Sequence, residues 1–155
     1  MSRAFVKEQD GLDAFEDLPD KLISEHPNLV TTEGLAAIDV EVARLQSDLA
    51  AAQGANDRAA ISRASRDLRY WSQRQASAEL MPAPANAETV QFGSTVGLVR
   101  SDKRRQTFRI VGEDEADPAK GTLSYVSPLA QALMGKRVGD EVRAGASDVE
   151  ITEIT

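Results

Sequence analysis

The residues with the sharpest chemical question stand in the stretch LAAAQGANDRAAIS, residues 49–62. Asp57 is the only carboxylate between Asp48 and Asp67, with Asn56 before it and Ser62 five positions on. A lone carboxylate, Asp57, with the Asn56 amide and the Ser62 hydroxyl near it, is a sparse set of oxygen donors for a hard cation. The competing reading is that an aspartate after Gly-Ala-Asn caps a helix, the commoner use of that position. Beyond it, Arg58, Arg63, Arg66, Arg69 and Arg74 stand against few acids, and Arg63 and Arg66 read as part of a contact face for an acidic surface or RNA rather than only a solvated helix face.

Other chemistries are thinly supplied. There is no cysteine, which removes disulfides, thiolate metal sites and cysteine nucleophiles, and His26 is the single histidine, so a zinc site is not expected. The acidic run EDEADP, residues 113–118, lacks the spacing of a calcium loop and reads as a turn between strands. Trp71 reads as packing rather than as a platform for a base. A formal net charge of -7 argues against a chain that grips nucleic acid over its whole surface, because that binding is driven by basic patches releasing counterions. Any role at nucleic acid is expected through a protein partner.

The elements that must position these residues follow from spacing. Residues 1–30 carry Glu8, Asp10, Asp13, Glu16, Asp17, Asp20 and Glu25 against Arg3, Lys7 and Lys21 and read as an acidic arm, with a short helix around LDAFED and Phe5, Leu12 and Phe15 free to dock. Thr31 or Thr32 is the expected N-cap of a first helix, with Glu33 suiting its dipole. Leu35, Ile38, Val42, Leu45 and Leu49 then alternate steps of three and four, a coiled-coil seam. Ile61, Ala64, Leu68, Trp71, Gln75 and Ala78 supply its partner, with Gly54 as the stop and Asn56 or Asp57 as the restart. The spacing predicts an antiparallel helical hairpin over residues 31–81, its apex near 53–58.

PAPANAE, residues 82–88, ends the second helix and reads as a linker. From 89 to 155, TVQFGSTVGLVR, QTFRIVG, GTLSYVS and DVEITEI are strand-like runs, and SPLAQALMGKRVGD is one short helix with Ser127 as N-cap, Pro128 at the first position and Gly135 as the stop. The expected fold class is α+β: a coiled-coil hairpin followed by a small antiparallel sheet wrapped on one short helix. No apolar run suits a signal peptide or a membrane span, so a cytoplasmic protein with no membrane partner is expected. A hairpin that pairs with itself leaves no need for a dimer, and a monomer is expected.

The run FGSTVGLVRSDKRRQTFRIVGEDEADPAKGTLSYVSPLAQALMGKRVGDEV resembles the C-terminal, FKBP-like domain of the bacterial Gre transcription elongation factors. VTTEG and RDLRYWSQR resemble the start and the descending arm of that family's hairpin, so the resemblance covers roughly residues 30 to 154. It implies binding to bacterial RNA polymerase, with the C-terminal domain at the rim of the secondary channel and the hairpin inside it. Apical acids of the family help hold a second magnesium ion, so that the polymerase cleaves the RNA of a backtracked complex. The strand-to-helix junction SYVSPLAQ is then a docking surface, with Tyr125, Ser127 and Pro128 as its contacts.

Here the sequence departs from the family. Its apices pair acids in a Gly-Asp then Glu-Asn-Ala run, whereas QGANDRAAIS offers Asn56, Asp57 and Arg58 at the tip. Ungapped alignment on RDLRYW shortens each arm by about ten residues, roughly 15 Å at the helical rise. The resemblance is thus to a short-hairpin, Rnk-like variant that occupies the channel without stimulating cleavage. That reading needs no cofactor and makes the chain no enzyme, since the polymerase would perform any cleavage. The alternatives are a cleavage factor in which Asp57 helps hold Mg2+, and an FKBP-type prolyl isomerase or chaperone module, for which Phe92, Phe108 and Tyr125 are few aromatics.

Overall fold

The computed structural model describes residues 18–155. The LDAFED helix, Phe5, Leu12 and Phe15 of the expected acidic arm lie outside the described residues. The described chain divides into two compact units, one made of residues 18–25 and 36–77, the other of residues 26–35 and 78–155. No helix among the described residues is long and apolar enough to cross a membrane.

The first unit is built on two helices, α1 (Thr32–Gly54) and α2 (Arg58–Ser77). The division between the units falls inside α1, after Leu35. Ile38, Val42, Leu45 and Ala52 of α1 and Ala64 of α2 are buried, as the alternating steps of three and four require. The helices run as an antiparallel hairpin, and Gln75 Nε2 donates to Asp39 Oδ1 across it at 2.9 Å. Here the structure corrects the seam: Gln75 is exposed and Arg74 is buried in its stead. Two adjacent positions on a 3.6-residue helix differ by 100°, so a step of three from Trp71 brings Arg74 inward where a step of four would bring Gln75.

The second unit holds a parallel pair, β1 (Leu29–Val30) with β2 (Glu79–Leu80), and a five-stranded sheet. Sequence periodicity gave no sign of a two-residue pair. In the sheet, β3 (Thr95–Arg100), β4 (Arg105–Val111), β5 (Thr122–Ser124), β6 (Glu141–Ala144) and β7 (Ser147–Ile154) are ordered β5-β4-β3-β7-β6. Four of these strands pair antiparallel as expected, but β4 and β5 are parallel. The connection of residues 112–121 crosses between them through two short 3-10 turns instead of closing a hairpin, which a parallel pair requires. Alternate residues of β3, Val96 and Leu98, turn inward with Ile110, Val149 and Ile151. The short helix α3 (Pro128–Leu133) adds Ala130 and Leu133 to this core, and Ser127 caps it by accepting from the Ala130 N–H at 3.3 Å.

The start of α1 is fastened within the second unit by one carboxylate. Glu115 accepts from the backbone N–H of Thr31 at 3.1 Å, from the Thr31 hydroxyl, and from the Gly112 N–H at 3.2 Å. Thr31 in turn caps α1, its Oγ1 accepting from the Gly34 N–H at 3.0 Å, which decides between the two expected N-caps. A side chain at Gly34 would overlap the Glu115 carboxylate, and one at Gly112 would overlap the Leu29 carbonyl. At Gly54, the last residue of the same helix, a Cβ meets nothing within 4 Å.

One substitution in one helix should therefore act with opposite signs. Gly54→Ala is expected to raise stability by about 0.5–1 kcal/mol, the usual gain of alanine over glycine in a helix. Gly34→Ala is expected to lower it by about 2 kcal/mol, because Glu115 must abandon charge-assisted hydrogen bonds to part-buried donors. Urea unfolding midpoints of the two variants check both signs.

Candidate hairpin tip and arginine face

The apex is organised by backbone hydrogen bonding. At the end of α1 the Asp57 N–H donates to the Ala52 carbonyl at 3.0 Å and the Asn56 N–H to the Gln53 carbonyl at 3.2 Å, with Asn56 at φ 52°. This is a Schellman closure with asparagine at the left-handed position, a conformation asparagine tolerates better than most residues. Gly54 ends the helix as expected, yet the reversal is made two residues later. Asp57 then opens α2: its carbonyl accepts from the Ile61 N–H at 2.9 Å and its Oδ1 from the Ala60 N–H at 3.1 Å. The sole apical carboxylate is thus used as a helix cap.

Two grooves flank the hairpin near this apex. One, of about 620 Å³, is lined by Asn56, Arg58, Ile61, Ser62, Ser65 and Arg69 together with Leu18. The other, of about 520 Å³, holds Asp57 and Arg63 with Arg44, Asp48 and Asp67. Of the expected tip residues, Asn56 and Arg58 therefore fall on one side and Asp57 on the other. Asp48 and Asp67 share a groove with Asp57, but both are engaged by cations. Arg44 donates to Asp48 at 2.7 Å and to Glu41 at 3.2 Å. Asp67 meets Lys21 at 2.9 Å and Arg66 at 3.3 Å. Among the described residues, no group of three or more histidines, cysteines, aspartates or glutamates is placed to hold a metal ion.

These pairings set the carboxylates' acidity. Burial alone would raise the Asp67 pKa, but the hydrogen bond and charge of Lys21, aided by Arg66, more than offset it and hold the group below the ordinary aspartate value. The Arg44 hydrogen bond likewise lowers Glu41. Sequence reasoning missed the segment that supplies Lys21. Asp20 accepts from Arg69 Nε at 2.6 Å, and the Lys21 ammonium stands 5.7 Å from the centre of the Tyr70 ring, which meets Trp71 edge-on at 5.2 Å. Asp20 and Lys21 lie about fifty positions from their partners, and nothing in local spacing signals such contacts.

In the second unit, the residues expected at a docking surface form one cluster. The Tyr125 hydroxyl donates to the Pro27 carbonyl at 2.5 Å, and its ring meets Phe92 edge-on at 5.7 Å. Gln131 Nε2 donates to the Tyr125 carbonyl at 2.6 Å, Ser127 caps α3, and Pro128 is exposed. Phe92 and Phe108 are buried, and the cavity that Phe92 lines holds about 90 Å³, far below the few hundred Å³ of an ordinary ligand pocket.

Residues 85–155 match the family model described as "Transcription elongation factor, GreA/GreB, C-term". The chain is 34% identical over 137 residues to the transcription elongation factor GreA of Desulfovibrio desulfuricans, covering 85% of this chain and 79% of that protein. It is 40% identical over 95 residues to GreB of Neisseria meningitidis serogroup A, covering 57% of this chain and 58% of that protein. Among solved structures it is similar to GreA factor homolog 1 (Gfh1) of Thermus thermophilus, with TM-score 0.42 and 18% identity over 84% of this chain and 99% of that one.

Two outcomes follow from this geometry. Asp57→Ala should cost about 1 kcal/mol of stability and Asp57→Asn close to none, since asparagine caps as well as aspartate, as thermal or urea unfolding will report. A carboxylate held below its ordinary pKa stabilises the fold above the unfolded value of about 3.9 and loses that contribution as pH falls through the lower folded value. Lys21→Ala should therefore lower the urea midpoint near neutral pH, by no more than about 1 kcal/mol for so exposed a pair, and the loss should shrink to what the Tyr70 contact contributes once Asp67 is protonated.

Proposed function

The chain belongs to the GreA/GreB family of transcription elongation factors, and from that premise we propose that it binds bacterial RNA polymerase at the secondary channel without stimulating transcript cleavage. The observation that carries this reading is the fate of the apical carboxylate. Asp57 Oδ1 closes the first turn of α2, and the acids sharing its groove are neutralised by Arg44 and Lys21. A magnesium ion bridging to a phosphate needs oxygen ligands free of competing cations, and two carboxylates do this far better than one. The tip lends no such pair.

On this reading the hairpin is an occupant of the channel. Asn56, Asp57 and Arg58 form its leading edge, and Arg63 and Arg66 on α2 face acidic polymerase surface. In the second unit, the exposed Pro128 and its neighbours Ser127 and Tyr125 form the docking corner; the hydrogen bonds of Ser127 and Tyr125 fix its shape. The chain acts as a monomer, meets RNA only through the elongation complex, and is itself no enzyme. The small cavity beside Phe92 gives no support to a prolyl isomerase.

A backtracked elongation complex of the cognate polymerase provides the test. Added alone, the chain should leave the rate of transcript cleavage unchanged, and added against a cleavage-active Gre factor it should lower that factor's activity in proportion to its concentration. Stimulated cleavage that is abolished by Asp57→Asn, a substitution that keeps the cap, would instead assign Asp57 to the metal.

A further inference from the structure

The turn between β3 and β4 holds a lysine against its own backbone preference. The Lys103 N–H donates to the Arg100 carbonyl at 2.8 Å, and Lys103 stands at φ 67°, a conformation that glycine or asparagine adopts at lower cost. Asp102 fixes this shape, its Oδ1 accepting from the Arg104 N–H at 3.1 Å and its Oδ2 from Arg104 Nε at 2.6 Å. Residues 100–105 carry four cations, Arg100, Lys103, Arg104 and Arg105, in a chain of formal net charge -7. A second unfavourable arrangement lies beside this turn. Glu141 of β6 is directly opposite Glu150 of β7, and like charges so opposed destabilise a sheet. Glu150 is in turn opposite Val99 of β3, and Val99 is opposite Arg105 of β4. Directly opposed residues share a face, so one row runs Arg105, Val99, Glu150, Glu141 across four strands, and two strand spacings, about 10 Å, separate Arg105 from Glu150. Among the described residues no ion pair engages Lys103, Arg105, Glu141 or Glu150, and all four are exposed. A depression of about 270 Å³ joins the two features, lined by Val99, Arg100, Ser101, Glu141 and Glu150.

We propose that this charge-zoned face is a further contact with RNA polymerase, one that takes a protein surface setting a carboxylate against Lys103 and Arg105 and a cation between Glu141 and Glu150. The partner is protein and not nucleic acid, because a phosphate backbone suits the basic turn but is repelled by two unneutralised carboxylates in the same depression. A partner cation relieves the opposition of Glu141 and Glu150, and a partner carboxylate completes the turn. Exposed positions are otherwise free to lose both the strain and the repulsion, so keeping them side by side marks charges that a contact uses. The identity of the partner rests on the functional reading above.

Two substitutions in the full chain separate contact from fold. Lys103→Gly relieves the left-handed position and removes a cation, while Glu150→Lys turns the like-charge pair with Glu141 into an opposite one. Urea unfolding midpoints should therefore rise in both variants. The affinity of the dye-labelled chain for the cognate polymerase, read by fluorescence anisotropy, should instead fall several-fold in both. The two variants shift the net charge in opposite directions, so attraction or repulsion of the chain as a whole cannot weaken both. Tighter binding by Glu150→Lys, binding equal to the parent in either variant, or midpoints that fall in both would overturn this assignment and leave the functional reading standing. A dimer of the parent chain that Glu150→Lys dissociates would assign the face to a second copy instead. A parent chain that does not bind polymerase would overturn the functional reading and this assignment together.

Discussion

The second unit depends on a carboxylate that has been given three donors. Glu115, on a 3-10 turn after β4, receives the N–H of Gly112 and, from 84 positions away in the chain, the N–H and hydroxyl of Thr31. Charge-assisted hydrogen bonds contribute about 1.5–3 kcal/mol each when the partners would otherwise lie buried and unpaired. Gly34 leaves the space that the carboxylate needs and Gly112 the space that the Leu29 carbonyl beside it needs. Beside it, the β1–β2 pair and the Tyr125 hydroxyl on the Pro27 carbonyl tie residues 27–30 into the same unit. The cap of α1 is consequently a tertiary feature, made by Thr31 and held in place by Glu115.

The apex works under a different constraint. Turning between two helices within three residues leaves several backbone groups without helical partners. Asn56 takes the left-handed conformation, Asp57 donates its N–H back to α1, and its carboxylate accepts from α2. A side chain that satisfies the turn is not available to share a metal ion, and this links a local hydrogen-bonding need to a functional reading. Of the arginines that follow the turn, Arg58 and Arg69 line one groove, Arg63 lines the other and Arg74 is buried, and from the segment of residues 18–25 Asp20 meets Arg69 while Lys21 meets Asp67.

Much of this was legible in the sequence. The steps of three and four placed Ile38, Val42, Leu45 and Ala64 inside, and Gly54, Asp57, Ser127 and Pro128 marked helix ends where helices end. Period-two runs located β3, β4 and β7, and the residues of the C-terminal run carried the family resemblance. These features rest on interactions between residues a few positions apart, or on a pattern of burial that repeats along one element, so they are written into spacing.

What spacing could not give was decided in three dimensions. The role of Glu115 was hidden inside an acidic turn, because two of its three donors come from a residue 84 positions away. The parallel pairing of β4 with β5, the exchange of Gln75 for Arg74 on the inner face, and the grip of Asp20 and Lys21 on α2 are of the same kind. Sequence by itself determined the two hairpin helices, the strand runs of β3, β4 and β7 and the family resemblance, since local propensity and burial period act within a segment. Only the tertiary structure decided which polar groups meet across segments, because a hydrogen bond or ion pair between distant residues is fixed by packing and leaves no period along the chain.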